Sequence, residues 1–348
     1  MDIEKLVADA AARGTSDIHV VCGVPVKLRI NGQLQDADDH ILTDEDCEAV
    51  GKALAGNDYE SIAHKGELDL AATIAGHRVR INLFRQQGSL SAAIRILNDR
   101  IPDISVLGLP LVVEQFSTWQ KGIILVTGET GSGKSTTLAA ILDKINHTRR
   151  EHIITLEDPI EYIYKPDMCL INQREIGKDT ASYAEGLRAI LREDPDVILI
   201  GEMRDLETIE TALTAAETGH LVFATLHTNS AVDSIDRIVD VFPAERQQQI
   251  RLQLSGCLRA VLAQQLLLKK DGSGRVAACE VMVVTNALKN LIREGKTPQM
   301  TSALLSSAKE GSITMDNFLI KLVQTGVISR ETAINAANDK SYLTRSGM

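Results

Sequence analysis

The chain has 348 residues, 44% of them hydrophobic and 24% charged, and this length and balance predict a soluble globular protein with two domains. Its net charge of −10 and its aromatic content of 3% argue against nucleic-acid binding through overall positive charge and stacked bases. No run of about 18 apolar residues occurs and the N-terminus lacks a signal-peptide pattern, so we expect no transmembrane segment.

The cysteines are scattered, and none forms a C-x-x-C pair. This pattern predicts reduced thiols in the cytoplasm and no zinc site. The residues concerned are Cys22, Cys47, Cys169, Cys257 and Cys279.

The first part of the chain predicts a small α+β domain over residues 1–98. Apolar residues at helical spacing indicate a helix over 2–12, and a capping-box pattern at Thr43 indicates the start of another. Asn31-Gly32 is typical of a type I′ hairpin turn, and Gly76 marks a second turn. Alternating or apolar runs predict strands at 16–21, 26–30, 67–75, 77–85 and 90–97.

Residues 99–110 contain Pro102, Gly108 and Pro110 and predict a linker to a second domain over 111–348. Strand and helix patterns then alternate, which is typical of an α/β fold with a parallel sheet between layers of helices. Beyond Pro243 the pattern predicts mainly helices, interrupted by one strand near 275–284. The other predicted strands are 123–127, 153–156, 197–200 and 222–225, and the helices are 134–147, 181–193 and 205–217.

A phosphate-binding signature, G-x-x-x-x-G-K-S, occupies residues 128–135 between a predicted strand and a predicted helix. This context aims backbone N–H groups and a helix N-terminus at one point, which suits a polyphosphate. We expect Lys134 to reach the β- and γ-phosphates and the Ser135 hydroxyl to bind Mg²⁺. The predicted nucleotide-binding residues are Gly128, Glu129, Thr130, Gly131, Ser132, Gly133, Lys134, Ser135 and Thr136.

Carboxylates follow two of the predicted strands. Glu202 ends the strand over 197–200 and is predicted to place Mg²⁺ or water beside the loop, together with Ser135. Residues 155–161 are rich in acids, and Glu161 is our candidate for the general base that polarises the attacking water. Glu157, Asp158 and Glu202 stay open as alternatives for that role.

A histidine lies at each end of the strand over 222–225. His227 follows its carboxyl end, where we expect it to sense the γ-phosphate. His220 lies at the opposite end, where a role in structure or in an interface is the better interpretation. Across a strand the two histidines are too far apart to share a metal.

The order of these motifs resembles that of the type II/type IV secretion ATPases. The order is a phosphate loop, an acidic box at 155–161, a Walker B strand at 196–202 and a histidine box at 218–227. Two runs are highly specific for this family, Leu191-Arg192-Glu193-Asp194-Pro195-Asp196 and Gly201-Glu202-Met203-Arg204-Asp205-Leu206-Glu207-Thr208. Residues 286–296 are similar to a motif of its type IV pilus retraction branch, with Ala287-Leu288-Lys289 in place of Ala-Ile-Arg.

The resemblance implies a RecA-like C-terminal ATPase domain and a PAS-like N-terminal domain. It also implies a homo-hexamer that hydrolyses ATP with Mg²⁺ and retracts type IV pili, as in twitching motility. Expected partners are an inner-membrane platform protein and other pilus motor ATPases, with the motor in the cytoplasm at the inner face of the membrane. Family members place arginines of the N-terminal domain near the phosphates, and the candidates here are Arg80, Arg85 and Arg95.

Two other functions stay open from the sequence. The first is a pilus-assembly or type II secretion ATPase, whose members are typically longer and carry a four-cysteine zinc module. The second is a nucleic-acid-translocating RecA-like ring, against which the net charge of −10 counts. We therefore expect no direct contact with nucleic acid.

Overall fold

The computed structural model describes residues 1–30, 32–97 and 100–345. Asn31 of the predicted hairpin turn and Asp99 of the predicted linker lie outside the described residues. Contacts divide the chain into two compact units. The N-terminal unit comprises Met1–Arg100 and Pro159–Ile163, and the C-terminal unit comprises Ile101–Asp158 and Tyr164–Met348.

The N-terminal unit is built on a six-stranded antiparallel sheet with the strand order β3-β2-β1-β6-β5-β4. Within the described residues of this unit, three α-helices accompany the sheet. In chain order the elements are α1 (Ile3–Ala12), β1 (Thr15–Val20), β2 (Lys27–Ile30), β3 (Gln33–Asp36), α2 (Asp44–Ala55), α3 (Tyr59–Lys65), β4 (Glu67–Ile74), β5 (His77–Gln86) and β6 (Ser89–Ile96).

Local signals in the sequence explain this unit well. Alternate residues of β5 are buried in its core, as the period of a half-buried strand requires. Thr43 and Asp46 form the predicted capping box, with the Asp46 N–H donating to Thr43 Oγ1 over 3.2 Å. Ala75 and Gly76 both have positive φ, +50° and +83°, so the predicted turn joins β4 and β5 by a tight hairpin.

The C-terminal unit is built on a seven-stranded mixed sheet with the order β13-β12-β7-β11-β10-β8-β9. Six strands run parallel to one another, and β13 pairs antiparallel to β12 at one edge. The strands are β7 (Gly122–Thr127), β8 (His152–Glu157), β9 (Leu170–Glu175), β10 (Val197–Ile200), β11 (Leu221–Leu226), β12 (Leu258–Leu268) and β13 (Arg275–Val283).

Both faces of this sheet are covered, as the fully buried strand β7 shows. Ile123 and Leu125 belong to the largest apolar core, and the alternate residues Ile124 and Val126 are equally buried on the other face. The helices are α4 (Leu111–Gln115), α5 (Lys134–Thr148), α6 (Tyr183–Ile190), α7 (Leu206–Glu217), α8 (Ala231–Asp240), α9 (Ala244–Cys257), α10 (Asn286–Glu294), α11 (Met300–Ser306), α12 (Met315–Gln324), α13 (Arg330–Ala336) and α14 (Lys340–Arg345).

The expectation of mainly helical structure after Pro243 is wrong over residues 258–268, because these form the 11-residue strand β12. Apart from Arg259, the first seven residues of β12 are buried. Such a continuous apolar run does not distinguish a buried strand from a buried helix, so the sequence alone left the two open. The sequence patterns also do not predict the parallel strand β9.

Across the described ranges, no helix is both long and apolar enough to cross a membrane.

Candidate functional site

The phosphate-binding loop joins the carboxyl end of β7 to the N-terminus of α5. Gly128, Gly131 and Gly133 have φ of +141°, +80° and +92°, which residues with a side chain rarely adopt. Gly133 is the N-cap of α5. The Lys134 ammonium lies at the loop, where it donates to the carbonyls of Gly128 and Glu129 over 2.7 and 2.8 Å.

Buried hydroxyl groups at the loop fit a polyphosphate. Within the ranges described, Ser132 Oγ and Thr127 Oγ1 are buried and have no hydrogen-bond partner. A buried polar atom without a partner is costly, and a phosphate oxygen is the kind of acceptor that these hydroxyls lack. The exposed Ser135 follows Lys134 in the first turn of α5, a position suited to a cation ligand. These residues therefore fit ATP with a divalent metal ion.

Glu202 and His227 meet at the same edge of the sheet. His227 follows β11, whose last residue Leu226 pairs with Thr127 immediately before the loop. Its Nε2 lies 3.2 Å from Glu202 Oε1, and Arg204 Nε lies 2.6 Å from the same oxygen. The structure therefore brings two of the predicted catalytic residues together and adds Arg204, which the sequence reasoning did not single out.

Opposing effects act on the pKa of Glu202. Burial raises this pKa, but hydrogen bonds and charge from Arg204 and His227 outweigh burial, so the net pKa lies below its ordinary value. Glu202 is therefore a carboxylate at neutral pH, the form that can bind a metal ion or accept a hydrogen bond from water.

The backbone at Gly201, the residue before Glu202, is closely packed. A Cβ there would lie 3.0 Å from the Leu156 carbonyl oxygen and 2.8 Å from the Tyr183 hydroxyl.

The acidic box after β8 separates into two environments. Glu157, the last residue of β8, accepts hydrogen bonds from the Thr155 hydroxyl over 2.7 Å and from Gln173 Nε2 over 3.3 Å. Asp158 is exposed. Glu161 is partly exposed and belongs to the N-terminal unit by its contacts, in the segment Pro159–Ile163. In that unit, Arg78 Nε donates to the Ile160 carbonyl over 3.0 Å.

The candidate arginines differ in their surroundings within the N-terminal unit. Arg95 Nε donates to Asp17 Oδ1 over 2.8 Å, and Arg85 donates to Glu48 over 2.9 Å. Arg80 lies directly opposite Arg95 on the neighbouring strand and is exposed. Among the residues described, no acid forms an ion pair with Arg80, so its guanidinium is the one most available to a phosphate.

Gln264 on β12 is a residue of this site that the sequence reasoning missed. Its side chain is only 4% exposed and contacts both the loop and α5. Beside it, a cavity of about 270 Å³ is lined by loop residues together with Gln265, Met315 and Asn338. The local sequence offered no signal for Gln264, because its role depends on β12 being the neighbour of β7.

The mixed sheet and the loop define a P-loop nucleotide-binding protein. A family model described as type II/IV secretion system protein matches residues 1–272. The chain therefore belongs to the type II/IV secretion system protein family. Lys134, Glu202 and His227 lie within the matched range.

The chain is 46% identical to the type IV pilus retractation ATPase PilT of Pseudomonas aeruginosa, over 96% of this chain and 97% of that protein. It is 42% identical to a twitching motility protein of Neisseria gonorrhoeae, over 91% of this chain and 85% of that protein. A crystal structure of the pilus retraction motor PilT with bound ADP superposes with a TM-score of 0.93 at 45% identity, covering 99% of each chain.

These findings confirm the predicted family, the α/β fold class with an N-terminal and an ATPase domain, and the prediction of an ATPase. The relatives' names agree with the predicted role in pilus retraction. The ADP in the similar structure supports the prediction of a nucleotide as the ligand.

Proposed function

We propose that this protein is the ATP-hydrolysing motor that powers type IV pilus retraction, as in twitching motility. The observation that carries the proposal is the phosphate loop beside the Glu202–His227 pair at one edge of the sheet. A loop alone binds nucleotide, but an ionised acid and a histidine at its side provide for hydrolysis. The similarity to retraction ATPases over nearly the whole chain supports retraction as the use of that energy.

Mg²⁺ is the proposed metal, and Ser135 and Glu202 are the residues that would hold it with ATP. When bound, the ion would neutralise charge on the phosphates. Lys134 binds the β- and γ-phosphates, and the N–H groups of the loop hold them in place. Glu161 orients the attacking water and accepts its proton, and His227 responds to the presence of the γ-phosphate through its contact with Glu202.

Arg80 and Arg95 of the N-terminal unit are proposed to stabilise the charge that spreads over the phosphoryl oxygens. Arg80 is the stronger candidate, because no acid among the described residues pairs with its exposed guanidinium, whereas Arg95 already donates to Asp17. We propose residues 1–98 as the PAS-like domain, 99–110 as the linker and 111–348 as the RecA-like domain.

The proposed working form is a homo-hexamer in the cytoplasm, at the inner face of the membrane. It acts on the inner-membrane platform protein of the pilus, alongside other pilus motor ATPases. Helix α10 is the proposed output surface, because its family motif presents exposed polar residues such as Asn290 and Arg293 while Leu288 and Ile292 anchor it in the core.

Deleting the gene and imaging surface pili tests the proposal. A retraction motor predicts excess pili that no longer shorten, with recovery by the wild-type gene and not by Lys134→Ala. Cells without pili would instead identify an assembly motor. An effect on protein secretion with normal pili would identify a secretion ATPase, and strong stimulation of the ATPase by DNA would favour the nucleic-acid motor.

A further inference from the structure

Gln264 lies where strand β12, the phosphate loop and helix α5 meet. Its Oε1 accepts a hydrogen bond from the Thr137 hydroxyl of α5 over 2.8 Å. Its Nε2 donates to the carbonyl oxygen of Ser132 in the loop, also over 2.8 Å. Because the Ser132 carbonyl can only accept, the amide nitrogen must face the loop, which leaves the amide oxygen for the Thr137 hydroxyl. One buried side chain thus joins the loop to the helix that follows it.

The bond to Ser132 sets the direction of an N–H group. A trans peptide is planar, so the Ser132 carbonyl and the Gly133 N–H of the same peptide point in opposite directions. Holding that carbonyl towards Gln264 turns the Gly133 N–H away from β12. Gly133 is the N-cap of α5, where free N–H groups and the helix dipole attract anions.

Strand β12 at Gln264 also leaves no room for a side chain at two glycines of the loop. A Cβ on Gly128 would lie 2.2 Å from the Gln264 backbone oxygen, and a Cβ on Gly133 would lie 2.7 Å from its Nε2. The loop can approach β12 this closely only where side chains are absent. The backbone of Gln264 therefore lies close to Gly128 at one end of the loop, and its side chain lies close to Gly133 at the other.

We propose that Gln264 is a positioning residue for ATP, which orients the loop's phosphate-binding N–H groups through Ser132 while Thr137 fixes its amide. This inference rests on the ATPase part of the proposed function and requires no pilus partner. Gln264 does not touch the nucleotide in this role and acts through the loop. Because both hydrogen bonds exist before nucleotide binds, their loss weakens binding only through the order it removes from the loop, so their combined net strength sets an upper bound of roughly 100-fold on the change in affinity.

The test is titration of the full-length protein with a fluorescent ADP analogue, together with kcat and KM for ATP. Gln264→Leu keeps the volume and removes both hydrogen bonds, and we expect affinity to fall by up to roughly 100-fold and kcat to fall as well. Thr137→Val removes one bond and should show a smaller loss, whereas Thr137→Ser keeps the hydroxyl and should bind as the wild type does. In the double variant the two losses should not add, since they interrupt one linkage.

Gln247→Leu is the matched control. Gln247 on α9 also donates its amide to a backbone carbonyl, that of Phe242, over 3.1 Å and far along the chain from the loop. This control should leave affinity and kcat unchanged. Wild-type affinity and kcat in folded Gln264→Leu and Thr137→Val, even with lower thermal stability, would overturn the inference. A wild-type protein that bound no nucleotide would instead overturn the proposed function.

Discussion

At the scale of single residues, Lys134 places a positive charge at the phosphate loop. Two loop carbonyls hold its ammonium, so its position is set before the nucleotide arrives. We expect Lys134→Ala to weaken binding of an ADP analogue by at least about tenfold, since hydrogen bonds to charged groups contribute about 1.5–3 kcal/mol each. Lys144→Ala on the same helix, which removes an ion pair with Glu114, should bind normally. Equal affinities for the two variants would contradict the assignment.

Glu161 is the predicted general base, and its removal separates binding from hydrolysis. Glu161→Gln keeps the size of the side chain but cannot accept a proton, so we expect ATP affinity near that of the wild type and a kcat lower by about 10²- to 10⁴-fold. Single-turnover hydrolysis measures this directly. If Glu161→Gln hydrolyses ATP normally, Glu157→Gln, Asp158→Asn and Glu202→Gln measured in parallel would show which acid is the base.

The lowered pKa of Glu202 leads us to expect that the stability of the fold depends on pH. Because its pKa is lower in the folded protein than the ordinary value of 4.5, its charge stabilises the fold above that value. This contribution is lost as the pH falls through the lowered pKa, where the folded protein finally binds the proton. The difference in free energy of unfolding between the wild type and Glu202→Gln should therefore shrink as the pH falls below about 5.

Urea titrations at a series of pH values measure that difference. We expect no more than about 1 kcal/mol, because Arg204 is 77% exposed and solvent screens the pair. A difference that grows as the pH falls would contradict the direction of the pKa shift.

At the scale of elements, helix α10 has an anchoring face and a free face. Leu288 and Ile292 are fully buried in the core of the C-terminal unit, whereas Arg293 is exposed. We expect Arg293→Glu to leave the ATPase rate and the melting temperature unchanged and to abolish pilus retraction in cells. Leu288→Ala is the contrasting variant and should cost about 2–5 kcal/mol of stability. Normal retraction by Arg293→Glu would remove α10 from the proposed output surface.

At the scale of the whole molecule, the proposed working form is a hexamer. We expect sedimentation at micromolar concentration to show a sixfold species, with ATPase activity per chain falling on dilution as the ring dissociates. Arg80→Ala should lower kcat without dissociating the ring. Full activity per chain in a monomer would contradict the proposed assembly.

Signals confined to a few neighbouring residues were enough to predict a large part of this protein. The phosphate loop, the capping box at Thr43 and the turn at Gly76 each depend on backbone geometry that local residue types impose. The strands before Glu202 and His227 could be predicted from their short apolar runs. Their ends therefore gave the positions of these two residues in the fold.

The tertiary structure alone decided the features that depend on which strands are neighbours. The apolar run of β12 is compatible with a strand or a buried helix, and only its pairing with β7 brings Gln264 against the loop. The pairing of Arg95 with Asp17 is likewise set by strand register and leaves Arg80 free among the described residues. The sequence by itself determined that a nucleotide binds, because the loop carries its own geometry. The residues that support the loop lie far along the chain, and only packing brings them to it.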